Sequence, residues 1–355
     1  VDNGNLYKRN FIDFANNVNA TSSATSSVPV TVNLQVKTDG VGLSYSNISN
    51  PQYNTTVNGT NSANFNGAFA TSTPLNWGIA SSTIVMKRPD GKFVIINGSV
   101  TATTSGAQVY DPNDETITNL NSSTTGPIGV GALAFKRPDG KFLIVLGNST
   151  GNVTAGTGTT TTNIYDPLTN TFTYGPPLTG NAGRGALVIP LPTGKFLIAH
   201  GSITAGTTIY DPFQNSTIQG PVNVVNFGPG SMALPRPDGT YLIIPGATTA
   251  ETCAAQTVTE IFDPAQMQFR TNTAVAMTNG TGPGAFAFQR TDGLYVIFKG
   301  GVTTTTCLSV VTATQIYNPI SNRIITGPSI TAVPQAGIKP EGSFAMPMAN
   351  GSWMV

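Results

Sequence analysis

The 355-residue chain carries 17 Lys+Arg and 16 Asp+Glu, so only 9 % of it is charged and the net charge is +1, against about 25 % charged in an average soluble protein. That balance, with no basic run, excludes the electrostatic footprint of a nucleic-acid binder, and no stretch of about 18 apolar residues is present to span a bilayer. His200 is the only histidine, which excludes His-based triads, His-rich metal sites and most proton relays built from this chain alone. With 39 Gly, 25 Pro and abundant Thr, the composition points to an all-β chain with many turns.

In chain order, residues 1–40 stand apart. Leu6-Tyr7-Lys8-Arg9-Asn10-Phe11-Ile12-Asp13-Phe14 is the densest mix of charge and aromatics, a polar run follows from Asn19 to Ser27, and Val28, Val30, Val32, Leu34 and Val36 then alternate with mostly polar residues. This reads as an arm, a flexible linker and a strand whose apolar face needs a partner, either this chain or another copy.

From there one pattern repeats. Its first hairpin is seen in Ile84-Val85-Met86-Lys87-Arg88-Pro89-Asp90-Gly91-Lys92-Phe93-Val94-Ile95-Ile96 and again from Ala132 to Val145. Proline presets φ at the turn and glycine accepts the positive φ that lets the strands meet. The turn glycines 91, 140, 194, 239, 293 and 351 are spaced by 49, 54, 45, 54 and 58 residues, the length of a propeller blade. The second hairpin is marked by Tyr110-Asp111-Pro112, Tyr165-Asp166-Pro167, Tyr210-Asp211-Pro212, Phe262-Asp263-Pro264 and Tyr317-Asn318-Pro319, with Ile117, Phe172, Ile218, Phe269 and Ile324 on the returning strand. Gly-Pro pairs at 175–176, 220–221 and 327–328 close three of the repeats.

The order of strand, Pro-Asp-Gly turn, apolar strand, Tyr-Asp-Pro and Gly-Pro resembles Kelch-type repeats over about residues 78–355. It departs from them in two respects: paired glycines after the second strand survive only as Gly300-Gly301, and Ile or Phe stands where the fourth strand usually has tryptophan. The resemblance implies a β-propeller of four-stranded blades, and the six turn glycines at blade spacing make it six-bladed over residues 41–355, preceded by the 1–40 extension. The sixth blade has its first hairpin around Gly342 to Val355. Its second is expected from residues 43–58, because Ile48-Ser49-Asn50-Pro51 matches Ile316-Tyr317-Asn318-Pro319 in all but the aromatic. Closure within one chain and closure onto a neighbouring copy both fit.

Cys253 and Cys307 fall in matching loops of successive repeats and are expected to form a disulfide, which places the protein in an oxidising compartment. Asn-X-Ser/Thr sequons occur at Asn19, Asn47, Asn54, Asn58, Asn97, Asn121, Asn148, Asn152, Asn215, Asn279 and Asn350. Glycans would solubilise a surface so poor in charge. No basic segment followed by an apolar stretch opens the sequence, so a cleaved export signal is inferred.

Copper oxidases with Kelch-like propellers use histidines and a Tyr-Cys cross-link, which one His and two loop Cys do not rebuild. Propeller sialidases need an arginine cluster, whereas Arg88, Arg137, Arg236 and Arg290 recur at one place in successive turns. Asp90, Asp139, Asp238 and Asp292 likewise read as turn residues, and His200 as a packed side chain. No catalytic residue, cofactor or metal is expected, and no enzymatic activity. The reading is an extracellular or cell-surface structural protein, glycosylated and self-associating through its N-terminal arm as a filament or other homopolymer. The alternative is a secreted or displayed propeller that binds carbohydrate or protein. A carboxylate-based hydrolase or lyase is a third.

Overall fold

The computed structural model describes residues 34–38, 41–45, 74–76, 82–98, 104–148, 158–201, 204–248, 255–301, 313–329, 346–347 and 353–354. The chain divides into two units, Val1–Ser72 and Thr73–Val355.

In the first unit β1 (Leu34–Thr38) pairs antiparallel with β2 (Val41–Tyr45), matching Leu34 with Tyr45, Val36 with Leu43 and Thr38 with Val41. This corrects the expected boundary at residue 40. Asp39-Gly40 is the sequence of a two-residue hairpin turn, so the arm's strand and residues 41–45 form one hairpin, and residues 43–45 belong to it. Residues 46–58 lie outside the described set.

The second unit is built from turns that dictate its strands. In the first hairpin Gly91 takes φ +87°, Gly91 N–H donates to the Arg88 carbonyl at 3.1 Å, and Arg88 N–H donates to the Lys92 carbonyl at 2.8 Å. That is a type I turn closed by a glycine bulge. The Asp90 carboxylate also accepts the Lys92 N–H at 3.2 Å. In the second hairpin Asp166 accepts from Leu168 N–H at 2.9 Å, and Asn318 from Ile320 N–H at 2.9 Å. Each of these turns ends on a residue in the left-handed region: Glu115, Asn170, Asn215, Met267 and Asn322, with φ between 48° and 56°. Aspartate or asparagine starts the turn because its short side chain caps the backbone two residues on.

Two such hairpins make each four-stranded antiparallel meander. The first sheet is β3 (Ile84–Lys87), β4 (Phe93–Ile96), β5 (Ala107–Asp111) and β6 (Thr116–Asn119). The second is β7 (Leu133–Lys136), β8 (Phe142–Val145), β9 (Thr162–Asp166) and β10 (Thr171–Tyr174). The third is β11 (Leu187–Pro190), β12 (Phe196–Ala199), β13 (Thr207–Asp211) and β14 (Ser216–Gln219). The fourth is β15 (Met232–Pro235), β16 (Tyr241–Ile244), β17 (Val258–Asp263) and β18 (Gln268–Ala276). The fifth is β19 (Phe286–Gln289), β20 (Tyr295–Phe298), β21 (Ala313–Asn318) and β22 (Arg323–Ser329). β23 (Met346–Pro347) pairs with β24 (Trp353–Met354).

The architecture is therefore all-β and β-propeller-like, with five complete four-stranded blades and two two-stranded sheets, β1–β2 and β23–β24, among the described residues. No described helix is long and apolar enough to cross a membrane.

First strands of successive blades lie side by side, β3 by β7, β7 by β11 and β11 by β15. A glycine pair makes this approach possible. A Cβ on Gly131, Gly185 or Gly230 would lie 2.1, 2.1 or 2.2 Å from the carbonyl oxygen of Gly183, Gly228 or Gly282 in the next repeat. Among the described residues the core consists of four clusters, each shared by two consecutive blades. Second strands are thus covered on both faces, which is why Phe142–Val145 is buried throughout and reads as an unbroken apolar run. Fourth strands are largely exposed, as in Thr116–Asn119.

Candidate functional site

The side chains with most chemistry lie where blades meet. Arg88, leaving the first blade's turn, donates to the Tyr165 hydroxyl at 3.1 Å, to the Pro167 carbonyl at 2.9 Å and to Asn170 Oδ1, all in the second blade's outer turn. Tyr165 also donates to Asn170 at 2.9 Å. Asp90 holds the other edge of the guanidinium at 2.9 Å. Arg137 repeats this with Asn215 at 3.0 Å, the Pro212 carbonyl at 3.1 Å and Asp139 at 2.9 Å, its guanidinium 5.8 Å from the Tyr210 ring centre. Burial pushes the Tyr210 hydroxyl up to about 12, so it stays protonated and donates to Asn215. Arg236 stands beside Tyr317, whose hydroxyl donates to Asn322 at 3.1 Å. The clamps hold planar, charge-assisted contacts that fix one blade's turn on the next.

A second set runs down the third strands, two residues before each aromatic: Gln108, Asn163, Thr208, Glu260 and Gln315, all buried. Four of them hook the segment entering their own blade. Gln108 accepts from Asn76 N–H at 3.1 Å, Asn163 from Thr125 N–H at 2.8 Å, Thr208 from Thr179 N–H at 3.0 Å and Glu260 from Val225 N–H. Glu260 is the exception in charge. Its Oε2 is buried with no partner, and burial raises its carboxyl from 4.5 to about 7, partly offset by the amides of Val225 and Val224.

His200 follows the third blade's second strand. It is buried, with Nε2 2.7 Å from Thr208 Oγ1, and burial lowers it to about 4, so the ring is neutral. A Cβ on Gly180 would lie 2.5 Å from that ring, so glycine there makes room for it. Lys299 holds the matching place in the fifth blade, is buried, and has its ammonium pKa lowered by burial.

The turn aspartates cap backbone amides as expected. The sequence reading missed the polar row and Glu260. Its signal was present: a hydrophilic residue recurs two positions before every Tyr-Asp-Pro or its variant.

Of the sequons, Asn19, Asn47, Asn54, Asn58, Asn152 and Asn350 lie outside the described residues, as do Cys253 and Cys307. Asn121, Asn215 and Asn279 are exposed, Asn97 is half-buried, and Asn148 is only 4 % exposed. A glycan has no room at Asn148, which drops out of the candidate set. Among the described residues no group of three or more His, Cys, Asp or Glu could hold a metal ion.

No protein-family model matches the sequence, and no curated protein matches it. Among solved structures, the chain is similar to a fungal alcohol oxidase of the AA5 family in complex with copper, at 11 % identity and TM-score 0.47, over 74 % of this chain and 68 % of that one. It is also similar to Kuenenia stuttgartiensis hydrazine synthase, at 13 % identity and TM-score 0.47, over 73 % of this chain and 69 % of that one. Both are enzymes. The expectation of a chain without enzymatic activity is withdrawn on that finding.

Proposed function

We propose that this chain is an extracellular structural subunit: a six-bladed, Kelch-like propeller that is glycosylated and self-associates through its N-terminal region. The observation that carries the reading is the use of the polar side chains at the blade junctions. Arg88 and Arg137 spend their donors on the neighbouring blade, and Gln108, Asn163 and Thr208 accept from backbone amides of the incoming connector. Such contacts give a stiff body suited to bearing load between copies. In this reading β23 and β24 are the inner half of the sixth blade, and a hairpin from the N-terminal region of another copy supplies its outer half. The near absence of net charge favours close packing of identical subunits.

Light scattering across a concentration series tests the reading. Full-length protein should form assemblies, and deletion of residues 1–72 should leave monomers. A full-length protein that stays monomeric at high concentration overturns it. Intact mass with alkylation before and after reduction tests the Cys253–Cys307 disulfide, and glycopeptide mapping of native material tests the glycans, with Asn121 and Asn279 the most accessible described sites.

A further inference from the structure

We propose that the junction between the fourth and fifth blades holds a small monovalent anion of the halide class, bound by Lys299, Thr281 and Gln315. The inference stands whether or not copies of the chain associate. All three side chains face that one junction. Ile297 and Tyr317 belong to the apolar cluster that the two blades share. Lys299 lies two residues after Ile297 and Gln315 two before Tyr317, so both fall on the cluster's face of the sheet. Ile297 and Gln315 are also direct partners across β20 and β21. Thr281 stands in the connector entering the fifth blade, one residue before Gly282, whose N–H donates to the Lys299 carbonyl at 2.9 Å. Its counterparts Ile128, Ala182 and Phe227 each join the cluster of the junction they enter.

The polar groups gathered here lack partners. Thr281, Gln315 and Lys299 are 0, 3 and 3 % exposed. Thr281 Oγ1 and Gln315 Oε1 are buried without a hydrogen bond, and the Lys299 ammonium has no ion pair or hydrogen bond among the described residues. The equivalent place is closed in two other blades. In the third, His200 Nε2 lies 2.7 Å from Thr208 Oγ1. In the second, Leu146 and Ile128 fill it with apolar groups, and Thr125 satisfies Asn163. Asn97, Leu146, the neutral His200 and Pro245 hold the place of Lys299 in the first four blades, so the fifth alone puts a formal positive charge there.

The occupant follows from that charge. A buried ammonium needs a counter-charge or loses its proton. The described acidic side chains lie elsewhere: the aspartates and Glu115 in turns at the blades' other end, and Glu260 at the preceding junction, on Val225 N–H. Lys299 Nζ and Thr281 Oγ1 are donors. The Gln315 amide makes no hydrogen bond among the described residues, and a half-turn about its terminal bond presents Nε2 as a third. Three donors and one positive charge suit an acceptor that is negative. Burial this deep admits an ion rather than a sugar or a peptide. Bound there, the anion joins the second and third strands of the fifth blade to the connector from the fourth, the tie that His200 and Thr208 make directly in the third.

Thermal unfolding of the full-length protein across a chloride series, with gluconate holding the ionic strength constant, tests the site. The midpoint should rise with the logarithm of chloride concentration, and Lys299→Met, which removes the charge and leaves an unbranched apolar chain, should abolish that rise. Lys141→Met is the control: Lys141 pairs with Asp166 at the surface at 2.9 Å, and its loss should leave the chloride dependence unchanged. Thr281→Val keeps the shape, removes one donor and should weaken chloride binding about tenfold or more. Crystals of the unsubstituted protein grown in bromide need no variant: an anomalous peak is expected in contact with Lys299 Nζ and Thr281 Oγ1. A midpoint indifferent to chloride overturns the site, as does a rise of equal size in Lys299→Met. A water in place of bromide between Lys299 and Gln315 overturns it too. A bromide peak without any chloride dependence of the midpoint marks an adventitious ion only, and likewise overturns it.

Discussion

Two junctions in the blade unit solve the same packing problem with opposite chemistry. Between the second and third blades the slot holds Arg137, Tyr210 and Asn215. Between the third and fourth, the equivalent residues are Leu191, Phe262 and Met267, which join one apolar cluster with Phe269. All three positions change together. A buried guanidinium needs its acceptors and the acceptors need a donor, so a mixed set leaves an unpaired polar group in a dry site. The comparison teaches that the clamp is a unit, and that its polar form serves position more than stability.

The sharpest way to break the comparison is to mix the sets. Leu191→Arg should destabilise by about 3–5 kcal/mol, because the charge would sit against Phe262 and Phe269 without an acceptor. Adding Phe262→Tyr and Met267→Asn should recover most of that loss, and urea unfolding measures both. If Leu191→Arg alone costs nothing, the slot is not closed and the comparison fails.

The reverse break is milder. Arg137→Leu strands Asn215 and frees Tyr210, for an expected loss of about 3 kcal/mol. The buried polar row offers a sharper control still. Gln108 and Gln315 hold the place of Glu260 in other blades, so Glu260→Gln keeps the shape and removes the charge. The sign follows from linkage: with the folded value raised from 4.5 to about 7, the folded state holds a proton that the unfolded state releases between those values. Stability therefore falls as pH rises through that window. Glu260→Gln should change little below pH 4.5 and gain about 2 kcal/mol above pH 7. His200 works in the other direction. Its neutral ring contributes fully above pH 6.5, and that contribution is lost as pH falls toward about 4.

The blades were legible in the sequence because turns carry backbone demands that few residues meet. Pro-Asp-Gly and Asp-Pro write those demands directly, and Gly175, Gly220 and Gly327 proved to be required for a further reason. A Cβ there would lie 2.2–2.3 Å from the hydroxyl of Thr162, Thr207 or Thr314, each of which donates to the carbonyl of the following proline at 2.7 Å. The arginines were read as turn repeats, whereas Arg88, Arg137 and Arg236 reach across to the next blade. Contacts between residues 75–82 positions apart leave no local periodicity to read. The hairpin over 34–45 was missed although Asp39-Gly40 spells its turn, because the alternation of Val28–Val36 drew attention to a lone strand. Glu260 was missed because a single glutamate in an apolar strand has no pattern of its own; only the row makes it visible.

The smallest expected effect tests the turn at the first blade, where no described arginine approaches from a preceding one. Asn170, Asn215 and Asn322 close their turns at φ 56°, 48° and 49°, and asparagine tolerates that region because its side chain compensates locally. Glu115 closes the first blade's turn at φ 56° and is exposed, so it bears the left-handed cost without a clamp to offset it. Glu115→Asn should therefore stabilise by about 0.5–1 kcal/mol, read as a rise in thermal midpoint with unchanged cooperativity. The same exchange at a clamped turn, Asn170→Glu, should cost more than the backbone difference alone, because it replaces the atom that accepts from both Arg88 and Tyr165. Equal and opposite effects at the two turns would show that φ alone selects the residue. A larger loss at Asn170 would show that asparagine is held there by the neighbouring blade as much as by its own backbone.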